Sequence, residues 1–99
     1  MIEKLNTEAT DRLVRALLSM RTKDEMLRFL EDLCTIREVQ DLAQRLEVAQ
    51  MLSDKVTYAE IAKQTGVSTA TITRVNRSLT YGAGGYKAAL ERLGEVENA

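Results

Sequence analysis

Short hydroxyl side chains and two arginines are concentrated in one stretch of the chain, from Ser68 to Arg77. Hydroxyl and methyl groups of this size let a helix approach the base edges and phosphates of DNA closely. Residues for acid–base chemistry or metal binding are scarce, since the chain has no histidine and one cysteine, Cys34. This composition excludes a Ser–His–Asp triad, a Cys–His dyad and a cysteine-rich metal site. We therefore predict a binding protein and no enzymatic activity.

The charge distribution singles out the same part of the chain. The net charge is −1, but residues 61–90 contain four basic residues and no acidic one. Residues 1–60, by contrast, contain twelve acidic and nine basic residues. A purely basic segment in an acidic chain is a candidate surface for an anionic partner, although a chance arrangement of solvated charges would give the same pattern.

Three Thr-x-x-Glu sequences predict helix starts, at Thr22–Glu25, Thr35–Glu38 and Thr57–Glu60. In such a capping box the threonine hydroxyl accepts from the amide three residues on, and the glutamate bonds back to the threonine amide. Apolar residues at helical spacing follow each box, and no segment alternates with the period of a strand. We predict an all-α fold of six short helices, the last from about Tyr86 to Leu93 and ended by Gly94.

Residues 57–79 have the proportions of a helix-turn-helix. Gly66 supplies a left-handed turn residue, and Ile61, Ile72 and Val75 are expected to bury the back of the two helices. That leaves five residues at or near the exposed start of the second helix: Ser68, Thr69, Ala70, Thr71 and Thr73. Lys63, Arg74 and Arg77 add positive charge on or beside the two helices, and we predict that Lys63, Arg77 and the five residues bind DNA. A helical hairpin that merely completes a core, with its hydroxyls as caps, is the alternative. The turn, the hydroxyl-rich helix start and the local positive charge together favour nucleic-acid binding.

The segment from Ala70 to Leu79, Ala-Thr-Ile-Thr-Arg-Val-Asn-Arg-Ser-Leu, resembles the recognition helix of the Trp repressor family, and in particular of its YerC/YecD-type members. The resemblance is strong over residues 33–80, and the flanking helices match those of the family in length and order. It implies one Trp repressor-like domain over residues 1–99. In it, the first three and the sixth helices of two chains would interlock as a homodimer. The fourth and fifth helices would bind double-stranded operator DNA.

The same resemblance implies a co-repressor pocket beside the recognition helix. Arg45 and Arg74 match the arginines on either side of the tryptophan indole, and Thr35 and Ser78 match residues near the two polar ends of that ligand. From the residues alone, Arg45 would instead pair with the acidic residue four positions earlier at the surface.

Val75 departs from the pattern of the tryptophan-binding members, which have glycine at this position. A branched side chain there is expected to narrow the pocket, because overpacking is unfavourable. We therefore predict no cofactor and no strong binding of L-tryptophan, with a smaller co-repressor as the open alternative.

These observations predict a sequence-specific DNA-binding transcriptional regulator, expected to be a repressor, that acts as a homodimer. The apolar stripes of the first three predicted helices exceed what so short a chain can cover, which favours a dimer over an ordinary monomeric core. The alternative is a protein-interaction module that retains the helix-turn-helix shape without binding specific DNA. No apolar run approaches the ~20 residues of a membrane span, and no signal peptide is evident, so we expect a cytoplasmic protein with no membrane partner.

Overall fold

The computed structural model describes residues 2–97, and within them the regular structure is entirely α-helical. The helices are α1 (Ile2–Leu5), α2 (Glu8–Ser19), α3 (Lys23–Leu33), α4 (Ile36–Ser53), α5 (Tyr58–Thr65), α6 (Thr69–Tyr81) and α7 (Gly85–Glu97). The all-α prediction is confirmed. No helix in this part of the chain is long and apolar enough to cross a membrane.

The prediction of six helices is wrong by one, because residues 2–97 form seven. The additional helix, α1, is a single turn, closed where the Asn6 amide donates to the Glu3 carbonyl (3.2 Å). Thr7 then adopts an extended conformation, and its hydroxyl accepts from the Thr10 amide to start α2. A four-residue helix is too short to show helical periodicity, so the apolar pattern does not reveal it.

The predicted capping threonines start helices in the structure. Thr22 accepts from the Glu25 amide (3.1 Å) at the start of α3, and Thr57 accepts from the Glu60 amide (3.2 Å) at the start of α5. The Glu25 carboxylate accepts from the Arg21 amide (3.0 Å). In a standard capping box it would accept from the amide of the N-cap, which is Thr22.

The last helix is longer than predicted, because α7 begins at Gly85 and continues through Gly94 to Glu97. A glycine inside a helix lowers its stability by about 0.5–1 kcal/mol relative to alanine, but it keeps its backbone N–H and does not by itself end the helix. Glycine ends a helix where the chain turns left-handed, as it does at Gly66, whose φ is 75°.

Gly94→Ala should raise the free energy of unfolding by about 0.5–1 kcal/mol, because alanine loses less backbone entropy in a helix. A Cβ at this position would meet no heavy atom within 4 Å. Urea denaturation measures the change. Gly66→Ala is the matched control and should lower stability, since the left-handed conformation disfavours alanine. A less stable Gly94→Ala protein would contradict a helical Gly94.

Two compact units divide the chain, one up to Val39 and one from Gln40 onward. The second unit has a buried core contributed by α4, α5 and α6, made of Val48, Ala49, Met51, Ile61, Ile72 and Val75. In the first unit, α2 and α3 are amphipathic, yet neither contains a buried residue. The second unit thus has its own core at the helix-turn-helix, while α2 and α3 of the first unit leave large apolar side chains such as Leu18 and Leu27 exposed.

Candidate nucleic-acid interface

The turn between α5 and α6 is closed by local hydrogen bonds. The Gly66 amide donates to the Ala62 carbonyl (2.8 Å), and the left-handed glycine reverses the chain as predicted. The Thr65 hydroxyl donates to the Ile61 carbonyl (2.7 Å). Ser68 then starts α6 by accepting from the amide three residues on. These bonds fix the direction in which α6 leaves α5.

The back of the helix pair is buried as the sequence predicts. Ile61 and Ile72 are fully buried, and Val75 is 2% exposed. One further contact holds the turn, since the Gln44 side-chain amide on α4 donates to the Thr65 carbonyl (3.1 Å). Sequence patterns carry no signal for this bond, because its partners lie 21 residues apart.

The opposite side of α6 is exposed and carries most of the predicted DNA-binding residues. Ala70, Thr73 and Arg77 are exposed, and at 100° per residue they fall within an arc of about 60°. Ser68 and Thr69, at the start of the helix, are exposed as well. Ala70, Thr73 and Arg77 therefore share one accessible side of α6, and Ser68 and Thr69 are exposed at its N-terminal end.

Thr71 lies at the edge of this face. It is half-buried, its amide donates to the Ser68 hydroxyl (3.2 Å), and its own hydroxyl accepts from Ser68 (3.1 Å). The hydroxyl of Thr71 thus helps to hold the start of α6, in addition to any contact that it makes with DNA.

The cations of the helix-turn-helix are unpaired within residues 2–97. Lys63, in the last turn of α5, is exposed, as are Arg74 and Arg77 on α6, and none of the three has an ion-pair partner in this part of the chain. The first turn of α6 contains no acidic residue. This surface can accept an anion without first breaking an internal salt bridge.

The residues of the predicted co-repressor pocket differ from one another in burial. Arg45 is half-buried, and its Nε donates to the backbone carbonyl of Asp41 (3.3 Å). Arg74 and Ser78 are exposed one turn apart on α6, whereas the Val75 side chain belongs to the buried core. Occupation of a pocket at Val75 would require that side chain to leave the core.

Thr35 belongs to the first unit and forms the complete capping box of α4. Its hydroxyl accepts from the Glu38 amide (3.0 Å), and its amide donates to the Glu38 carboxylate (2.8 Å). The pKa of Glu38 is lowered, first by the bond from the Thr35 backbone amide and second by the bond from the Thr35 hydroxyl. Thr35 therefore has a structural role that does not depend on a ligand.

This lowered pKa predicts a pH-dependent contribution to stability. Ionised Glu38 stabilises the folded protein above the ordinary glutamate pKa of about 4.3, and the contribution is lost as the pH falls through the lowered pKa of Glu38. Glu38→Gln lacks the charge at every pH. The stability difference between parent and Glu38→Gln should therefore be largest near neutral pH and shrink in acid. Urea denaturation across the acid range measures it, and a difference that is constant with pH would contradict this assignment.

Comparisons with known proteins agree with the fold. The Trp repressor protein family matches residues 8–94. The YerC protein of Bacillus subtilis (strain 168) is 51% identical over 96 residues, which cover 97% of this chain and 92% of the YerC protein. The crystal structure of a TrpR-like protein from Eubacterium eligens ATCC 27750 superposes with a TM-score of 0.90 at 54% identity, covering 93% of this chain and 95% of that chain.

Proposed function

Because the chain belongs to the Trp repressor family, as a Trp repressor-like protein of the YerC type, we propose that it is a sequence-specific DNA-binding transcriptional regulator. The observation that carries this proposal is the exposed face of α6, where Ala70, Thr73 and Arg77 share one side of the helix. This face has no acidic residue, and the opposite side of α6 packs into the core that it shares with α4 and α5.

In the proposed complex, α6 lies in the major groove. Ala70 and the Thr73 methyl group are small enough to bring the helix against base edges, where methyl groups contact thymine. Ser68 and Thr69 lie at the helix N-terminus, where exposed backbone amides attract phosphate. Lys63 on α5 supplies a further phosphate contact, which positions the protein without selecting a sequence.

The proposed active form is an intertwined homodimer. The exposed apolar side chains of α2 and α3, such as Leu18 and Leu27, are 78% and 48% exposed in the single chain, and a second copy would cover them. Two helix-turn-helix units would then meet two half-sites of an operator. As a repressor the dimer would occupy the operator and block transcription, and its place of action would be the cytoplasm.

Selection of fragments from a random DNA pool tests this function. The protein should enrich one double-stranded motif with two related half-sites, and competitor DNA that lacks the motif should bind at least about 1,000-fold more weakly at physiological salt. Equal retention of all fragments, or no retention, would reject specific DNA binding. No retention together with tight binding to another protein would favour an interaction module.

L-Tryptophan should produce little or no heat in calorimetry with the parent protein. The buried Val75 side chain would fill the space that glycine leaves open in the tryptophan-binding members of the family. Val75→Gly should recover some binding. It also removes a buried side chain and puts glycine inside α6, so Val75→Ala is the milder companion variant. Val48→Ala, at another fully buried valine, is the matched control and should lose stability without gaining tryptophan binding. Micromolar tryptophan affinity in the parent would overturn this prediction.

A further inference from the structure

The turn from α4 into α5 contains the one non-glycine residue within residues 2–97 that has a positive φ. This residue is Lys55, with φ of 66°. Its amide donates to the Leu52 carbonyl (3.1 Å), and the Val56 amide donates to the Met51 carbonyl (3.0 Å), so the turn satisfies two of the last carbonyls of α4. Glycine adopts this conformation without the steric conflict of a Cβ. The backbone at this position would therefore be more stable with glycine than with lysine.

No polar interaction within the described part of the chain explains why a lysine occupies this position. The side chain is exposed, and its ammonium group has neither a hydrogen-bond nor an ion-pair partner within residues 2–97. The two nearest acidic residues in sequence are engaged by side-chain amides. Asp54 accepts from Gln50 (3.2 Å), and Glu60 accepts from Gln64 (2.8 Å). The ammonium group is therefore available to a partner outside the chain.

The position of Lys55 indicates what that partner is. Lys55 precedes the Thr57 N-cap of α5 by two residues, and Lys63 lies in the last turn of the same helix. The eight residues of α5 span about 12 Å. In a helix-turn-helix complex the first helix crosses the sugar–phosphate backbone, so lysines at its two ends lie on either side of that crossing.

We propose that Lys55 binds a backbone phosphate of double-stranded DNA and that, with Lys63, it clamps α5 across the DNA strand. This inference rests on the proposed DNA-binding function and adds a contact residue outside the recognition helix. An ammonium group is a compact charge that suits phosphate, and its contribution does not depend on the base sequence. Lys55 occupies a left-handed position at which glycine would make the backbone more stable.

The test combines DNA binding with thermal unfolding, using a DNA site selected with the parent protein. Lys55→Gln should weaken binding to the selected site and to random DNA by the same factor. It should also reduce the slope of log affinity against log salt concentration by about 0.9 for each phosphate that the variant no longer neutralises. Lys55→Gly should reduce binding and slope equally while raising Tm. The matched control is Lys23→Gln, which removes an exposed lysine from the first turn of α3 and should leave the slope unchanged.

Three outcomes would overturn the proposal. If the parent binds DNA and Lys55→Gln retains its affinity and salt slope, the Lys55 contact is rejected and the proposed DNA-binding function is not. If Lys23→Gln weakens binding as much as Lys55→Gln, the effect comes from the net charge of the protein and not from a contact at Lys55. A parent that binds no DNA would reject the proposed function and this contact with it. A Lys55→Gly protein with weaker binding and a higher Tm supports the proposal, because a merely structural lysine would not separate the two measurements.

Discussion

Ala70→Glu should reduce the affinity for a selected DNA site by about 100-fold, which corresponds to about 3 kcal/mol at 1.4 kcal/mol for each factor of ten. Ala70 is exposed in the first turn of α6, on the face that also carries Thr73 and Arg77. A carboxylate there would hold the helix away from the base edges and repel phosphate. The fold should be unaffected, because an acidic residue near a helix N-terminus interacts favourably with the helix dipole.

A shift assay at fixed salt, together with thermal unfolding, measures this effect. Ala83→Glu is the matched control, since it places the same charge at an exposed residue in the loop after α6. Thr73→Ala should show a smaller effect, because removal of one base contact is worth about 1–3 kcal/mol. Thr71→Ala is a less direct test, as its hydroxyl also accepts from Ser68. If Ala70→Glu and Ala83→Glu bound the selected site equally well, α6 would not be the recognition helix.

The protein should sediment at twice the mass of its chain at micromolar concentration, with no folded monomer. The reason lies in the first unit, where α2 and α3 bury no residue. Many large apolar side chains are exposed in the single chain: Leu5, Leu13, Val14, Leu18, Leu27, Leu33, Ile36, Leu42, Tyr81, Leu93 and Val96. Burial of apolar surface contributes about 25 cal/mol per Å², so pairing of these faces would provide stability that one chain lacks.

Leu18→Glu distinguishes a dimer from a monomer with an exposed leucine. Leu18 is 78% exposed in the single chain, and at a true surface position such a change alters stability by less than about 0.5 kcal/mol. In a dimer interface it would bury a charge, and the variant should dissociate and lose its cooperative unfolding transition. Arg12→Glu, on the polar face of α2, should remain dimeric.

The parent should also show a Tm that rises with protein concentration, as expected when folding and association are coupled. Sedimentation and thermal unfolding over a dilution series measure both properties. A folded monomer whose Tm is independent of concentration, and unchanged by Leu18→Glu, would exclude the dimer.

Much of this architecture follows from signals between residues at most four positions apart. Thr22, Thr35 and Thr57 cap helices where the Thr-x-x-Glu spacing predicts it, and Gly66 is left-handed where the helix-turn-helix pattern requires it. Helical periodicity correctly separates the buried and exposed sides of α6. These predictions succeed because capping, turn conformation and amphipathicity depend on local hydrogen bonds and on the helical repeat.

The remaining features depend on packing between elements. The Gln44 side chain reaches the Thr65 carbonyl only because α4 lies beside the turn between α5 and α6. The identities of these two residues do not predict that they are hydrogen-bonded. The Val75 side chain, which the sequence places at a possible pocket, fills the core of α4, α5 and α6. Such outcomes are set by where distant segments meet, which local sequence patterns do not encode.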